Sequence, residues 1–190
     1  MKTTELYFEL ILIGLQTSIW MGLSLVNLIG NIVIDWIYKV LDNFSSSILL
    51  IGILYIIGVL LDRLADIVFQ ERENYYRKKS GFINKTSVAI WQKFNVGKYA
   101  EFTRVRGRIL RASIINLPLI ILTLTWYIIE NLYTLNLILY IWTLGIIFTY
   151  VAWKSYNETL EKYYARAHIL EMSEQDGEEE TKQKDEKEKI

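Results

Sequence analysis

The chain has 190 residues, 52% of them hydrophobic and 22% charged, with 21 basic against 21 acidic side chains, one histidine, no cysteine and one proline. Without cysteine there is no disulfide, thiolate nucleophile or sulfur-ligated metal, and His168 alone cannot build a histidine-rich centre. The balanced charge excludes no broad class, so the placement of the apolar residues decides.

They fall into four blocks of about twenty residues, from about Leu10 to Gly30, Ile48 to Val68, Ser113 to Ile129 and Leu135 to Trp153. At ~1.5 Å per helical residue each block crosses ~30 Å of hydrocarbon. The sequence therefore predicts an all-α membrane protein with four transmembrane helices and a helical cytoplasmic segment between spans two and three. The first block reads as a retained span, because Gln16 and Asn27 interrupt it and Glu5 and Glu9 precede it where a cleaved signal is basic. After it, Asn31, Asp35, Tyr38, Lys39 and Asp42 share one side of a helical wheel, with Val33, Trp36, Ile37, Val40 and Phe44 on the other. Residues 31 to 44 either lie in the outer interface as an amphipathic helix or continue the first span.

Basic residues set the orientation. Positions 71 to 111 hold eleven Lys and Arg against Glu71, Glu73 and Glu101, whereas 31 to 47 hold only Lys39 and 130 to 134 none. The positive-inside rule then places both termini and the basic segment in the cytoplasm, with the chain in the inner (plasma) membrane. The expected organisation is an N-terminal cytoplasmic segment (1–9), a first helical pair with its outer connection (10–68), a basic cytoplasmic segment (69–112), a second helical pair (113–153), a cytoplasmic helix extension (154–170) and a disordered acidic tail (171–190). The tail has nine acids and four lysines with almost nothing apolar to bury.

Polar residues inside the spans carry the functional argument. On span one, Glu9, Gln16, Trp20, Asn27 and Asn31 fall within about 60° on a wheel, with Ser24 and Thr17 beside them. Lipid cannot satisfy such amides, so the stripe faces protein or water. Gly14, Ser18 and Gly22 form a small-xxx-small packing line on the opposite side. Asn116, Thr123, Tyr127 and Glu130 cluster on span three, and Asn136, Tyr140, Thr143 and Lys154 on span four, with Tyr150 beside them. This surplus of polar stripes suggests self-association. In the pore reading, copies of span one line an aqueous axis with Glu9, Gln16, Trp20, Ser24, Asn27 and Asn31, and Trp20 forms the narrow point. In the alternative, the amides hydrogen-bond between helices and hold one bundle together.

Asp62, Arg63 and Asp66 form a charge network at the inner end of span two. The two carboxylates, one turn apart, either hold a hard cation or accept from Arg63 and the basic residues that follow. Positions 71 to 111 interleave their cations with Tyr75, Tyr76, Phe82, Trp91, Phe94, Tyr99 and Phe102, a mixture suited to phosphates and bases and equally to a headgroup layer. Gly81 and Gly97 are its expected helix breaks. Arg104, Arg108 and Arg111 share a face and, with Lys78 and Lys79, are the candidate contacts for an anionic ligand or partner. There is no glycine-rich phosphate loop, HExxH or GxSxG, so the chain reads as a non-enzyme with no catalytic residue, cofactor or metal.

Four spans within 190 residues, a polar face at 10 to 31 and a basic aromatic segment at 71 to 111 together resemble the small multi-span effectors of bacterial anti-phage systems, including CRISPR-associated membrane accessories and oligonucleotide-gated channels. The likeness is one of architecture and transfers no functional residue. It implies a homo-oligomer that permeabilises the inner membrane when a nucleotide, oligonucleotide or cytoplasmic protein engages its basic face. The rival reading is a non-conducting scaffold that recruits a partner through 71 to 111, with membrane lipids as its remaining contacts.

Overall fold

The computed structural model describes residues 3–30, 32–42, 44–81, 97–131 and 135–187. Among these residues the chain is helical throughout, in the order α1 (Thr3–Ile29), α2 (Ile32–Leu41), α3 (Phe44–Lys79), α4 (Gly97–Asn131) and α5 (Leu135–Lys187). Four segments are long and apolar enough to cross a membrane: Leu6–Ile29, Ser45–Lys79, Ala100–Asn131 and Leu135–Leu170. The protein is a multi-pass membrane protein built from these four helices.

Gly30 ends the first span. Its φ of 92° is a left-handed conformation that a residue without Cβ adopts freely, and its N–H donates to the Val26 carbonyl at 2.8 Å. The chain therefore does not continue span one through residue 44. α2 is a separate helix with Asp35, Tyr38 and Lys39 exposed and Val33 and Val40 half-buried, as expected of an amphipathic connection, although Ile37 of the expected apolar side is 40% exposed.

The chain divides into two compact units, Met1–Phe69 with Val105–Tyr156, and Gln70–Arg104 with Asn157–Ile190. In the first unit Ile13, Leu61 and Ala112 bring α1, α3 and α4 to one buried centre, with Ile115 against it. Phe69 packs edge-on to the fully buried Tyr156 at 5.2 Å and tilted to Trp153 at 6.1 Å, joining α3 to α5.

α1 and α3 approach each other backbone to backbone. A Cβ built on Gly14 would collide with the Leu54 carbonyl, and one on Gly58 with the Leu10 carbonyl. Each glycine thus admits the backbone of the other helix one turn away, the geometry by which helices adhere in lipid, where burying leucine gains nothing over acyl chains. Of the expected packing line, Gly14 makes this contact, the half-buried Ser18 returns its hydroxyl to the Gly14 carbonyl at 2.8 Å, and Gly22 meets no atom within 4 Å. Between α4 and α5, a Cβ on Gly145 would strike Ile121.

The second unit is built from the end of α3, the start of α4 and the later part of α5, with Ala100, Thr103, Thr159, Leu160 and Ala167 buried. Arg72 donates from Nε to Asn157 at 3.1 Å and lies over the rings of Tyr75 and Tyr76, while Lys79 pairs with Glu161 at 2.9 Å. Gly81, with φ 75°, closes α3 and sits against the His168 ring.

The helices extend beyond the apolar blocks. α3 and α4 run unbroken past the apolar blocks, to Lys79 and from Gly97, because a helix outlasts its apolar stretch wherever strong helix formers follow. Composition predicts disorder from Glu171, yet α5 continues to Lys187. The sequence there is rich in Glu, Lys and Gln, with Glu178 and Lys182, and Glu180 and Lys184, at the spacing that supports a helix without burial. The expected breaks at Gly81 and Gly97 coincide with the end and start of helices, while Phe82, Lys85, Trp91, Lys93 and Phe94 lie outside the described residues.

The glycines separate two kinds of position. Gly14→Leu and Gly58→Leu force α1 and α3 apart and lower stability by about 1–3 kcal/mol or more, whereas Gly22→Ala is neutral or stabilising by up to about 1 kcal/mol. Thermal unfolding of the full chain in detergent measures both; a drop for Gly22→Ala as large as for Gly14→Leu would refute the α1/α3 contact.

Candidate functional site

In the first unit, two arginines of α4 meet three carboxylates of α1 and α3. Arg111 Nη2 lies 2.7 Å from Asp66 and 3.6 Å from Asp62. Arg108 reaches Asp62 at 3.8 Å and Glu9 at 3.7 Å. Arg63, on the exposed side of α3, stands 3.7 Å from Asp66. Glu9, Asp62 and Arg111 are only 2%, 6% and 6% exposed, so the charges are withdrawn from any surrounding medium.

The helical repeat explains the placement. Asp62 and Asp66 are one turn apart on α3, and Arg108 and Arg111 three residues apart on α4, so each pair shares a face. The three acids and three arginines are formally neutral together, the condition under which ionisable groups persist in an apolar bundle. The choice between a cation and a guanidinium at Asp62 and Asp66 falls to Arg111. Among the described residues no group of three His, Cys, Asp or Glu could hold a metal.

From this cluster an amide seam follows α1 along α4. Ser113 Oγ lies 3.3 Å from Gln16 Oε1, Trp20 Nε1 donates to Asn116 Oδ1 at 3.0 Å, and Asn27 Nδ2 donates to the Thr123 carbonyl at 3.1 Å. The Thr17 hydroxyl donates to the Ile13 carbonyl at 2.9 Å and lies 3.4 Å from Asn116 Oδ1. These pairs keep an almost constant offset along the chain, 97, 96 and 96 residues, which marks two parallel helices in register. From Glu9 to Asn27 the seam covers about 27 Å of helix, nearly the thickness of the hydrocarbon. Asn116, 1% exposed, is its centre, and its Nδ2 has no hydrogen-bond partner.

The residues expected to line a pore, Glu9, Gln16, Trp20, Ser24 and Asn27, have partners within the protomer. Glu9 is fully buried against Arg108; Gln16, Trp20 and Asn27 face α4 of their own chain; and the Ser24 hydroxyl returns to the Trp20 carbonyl at 2.8 Å. Asn31 lies outside the described residues. A wheel gives the direction of a stripe and not its neighbour, and here the neighbour is the matching stripe of α4.

The anionic-ligand set divides in the same way. Arg108 and Arg111 are held by carboxylates and Lys79 by Glu161, while Lys78 and Arg104 are exposed. Sequence reasoning missed the joining of Asn116 to Trp20 and of Arg111 to both aspartates. Its available signal was the equal spacing of polar residues on α1 and α4.

What the arrangement does chemically is fix three helices against one another. Arg111→Gln leaves two carboxylates without their shared partner and lowers stability by about 3–5 kcal/mol, and Asp62→Asn with Asp66→Asn restores more than half of that loss. Asn116→Leu, which strips the Trp20 N–H of its acceptor, lowers stability by about 1–3 kcal/mol. Unfolding of these variants in detergent checks both, and additive losses in the triple variant would show that Arg111 and the aspartates do not interact.

Comparison of the chain with protein-family models, curated proteins and solved structures yields no match.

Proposed function

We propose that the protein is a non-conducting, four-span membrane scaffold that presents its basic region to an anionic cytoplasmic partner. One observation carries this reading: the polar stripe of α1 is engaged by α4 of the same chain, through Glu9, Gln16, Trp20 and Asn27. A side turned to a helix of its own protomer is directed away from an axis between copies. The excess of basic residues at 71 to 111 supports an inner-membrane orientation with both termini and the second unit in the cytoplasm. There Lys78 and Arg104 remain exposed for an anionic partner.

A second reading keeps the homo-oligomeric channel, with its resemblance to defence effectors and a nucleotide as trigger, but moves the lining to another helix. Its specific observation is that Asn136, Tyr140, Thr143, Tyr150 and Lys154 are all exposed along one line of α5. Asn136 and Lys154 are about 27 Å apart and belong at opposite interfaces, and the Thr143 hydroxyl is satisfied by the Leu139 carbonyl at 2.8 Å, so this line tolerates lipid as well.

Reconstitution in liposomes with potassium and proton flux readouts separates the readings, together with mass in detergent. The scaffold is a single copy without flux above empty liposomes. Flux lost on replacing Gln16, Trp20 and Asn27 by leucine would return the pore to α1, and flux lost on Thr143→Leu would place it on α5.

A further inference from the structure

The amide of the fully buried Asn116 has only one tenable orientation. Trp20 Nε1, a group that donates and never accepts, lies 3.0 Å from Oδ1. Turning the amide end for end would set Nδ2 against that N–H, donor to donor, so Oδ1 faces Trp20 and Nδ2 points elsewhere. There Nδ2 meets no acceptor among the described residues. Groups in that state are costly, and nearly all of them in proteins are met by another protein atom or by an ordered water.

The α1 side of the same amide has the opposite shortage. The buried Thr17 has a single hydroxyl proton, which goes to the Ile13 carbonyl at 2.9 Å. Its oxygen therefore faces Asn116 Oδ1 at 3.4 Å, lone pair to lone pair, well beyond the ~2.8 Å of an O–H···O bond. Three residues earlier on α4, Ser113 gives its proton to the Ile109 carbonyl at 2.8 Å and leaves its oxygen 3.3 Å from Gln16 Oε1. That contact is repaired from within, because turning the Gln16 amide brings Nε2 onto Ser113 Oγ. The Asn116 amide has no such remedy.

Whatever meets these groups must accept from nitrogen and donate to oxygen. An anion such as chloride only accepts, and a sodium or potassium ion meets oxygen but not N–H. Either would also bring a charge among Gln16, Thr17, Trp20, Ser113 and Asn116, all neutral, while Arg111 nearby is already held by Asp62 and Asp66. Asn27 repeats the problem with the polarity reversed: its Nδ2 donates to the Thr123 carbonyl at 3.1 Å, and its buried Oδ1 has no donor among the described residues. A seam that leaves over a donor at one level and an acceptor at another calls for a neutral molecule able to play both parts. Buried waters do this, each making about two to four bonds to such groups.

We propose that a water molecule is bound between α1 and α4 at Asn116, accepting from Nδ2 and donating to Thr17 Oγ1. A single held water is no path for ions, so the site stands whether or not the protein recruits a partner. The test is proton-detected solid-state NMR of the full chain, labelled with ¹⁵N and ¹³C, in phosphatidylcholine bilayers. It reads magnetisation transfer from water to the Asn116 side-chain amide, assigned through its own backbone signals. Transfer to Nδ2 is expected to be several-fold stronger than to the backbone N–H of the fully buried Ile128 within the same helix. Thr17→Val, which keeps the shape and removes the oxygen, lowers it at least twofold, and replacing sodium and potassium by choline leaves it unchanged. Transfer no stronger than at Ile128 overturns the proposal and shows a protein atom meeting the amide instead. Transfer unchanged in Thr17→Val, or lost with the alkali cations, overturns it as well.

Discussion

Hydrocarbon supplies no hydrogen-bond partner, and this constraint organises the first unit. Glu9, Asp62, Arg111 and Asn116 are buried where neither lipid nor bulk water solvates them, so each must be answered by another helix of the bundle. The answer also fixes register. An apolar face slides against its neighbour at little penalty in lipid, because leucine against leucine is no better than leucine against an acyl chain. Arg111 between Asp62 and Asp66, and Trp20 on Asn116, have one good alignment each. The Gly14/Gly58 crossing adds a second restraint from backbone shape, so α1 is held by α3 through close approach and by α4 through polar pairs.

These restraints leave the exterior undemanding. Leu15, Ile19, Ile56, Leu60, Leu64, Ile146 and Phe148 are exposed, as befits side chains whose solvent is acyl chain. The outward polar groups of α5 are tolerable there for identifiable reasons: Thr143 bonds its own helix, Trp142 bonds Thr125, and Asn136 and Lys154 sit where the span ends. Much of the polar demand of the membrane segments is thus met inside one protomer, Asn116 Nδ2 and Asn27 Oδ1 being left over. For that reason the function is sought at the bundle's ends rather than along α1.

What the sequence made legible follows from which forces act locally. The four spans could be read because hydropathy over twenty residues outweighs everything else, the first ending at Gly30 as expected, while whether residues 31 to 44 continued it stayed open, since Gly30 acts through its φ and not its polarity. The helix of α3 beyond its apolar block could be read from the break at Gly81, whereas the continuation of α5 from 171 to Lys187 could not, because low hydropathy marks the lack of burial and not the end of a helix. The polar faces of α1 and α4 were legible as angles. Their meeting was not, although Gln16, Trp20 and Asn27 match Ser113, Asn116 and Thr123 at nearly constant offset, a pattern visible only when two helices are compared together.

The three arginines that share one face of α4 show how a single stripe acquires two roles. Exposure of the side chain falls from the exposed Arg104 to 26% at Arg108 and 7% at Arg111, as the helix passes from its basic start into its apolar stretch. The same guanidinium changes purpose along that gradient. Where it is dry, a lone charge is untenable and the arginine must bind carboxylates, so Arg108 and Arg111 are structural by necessity. Where it is wet, the charge needs no partner and is weakly held by any single acid, so Arg104 is available to an anion arriving from outside. Periodicity alone groups the three together, and burial separates them. A basic stripe entering a membrane helix therefore cannot be counted whole as a ligand site, and its outermost members are the ones to test for one.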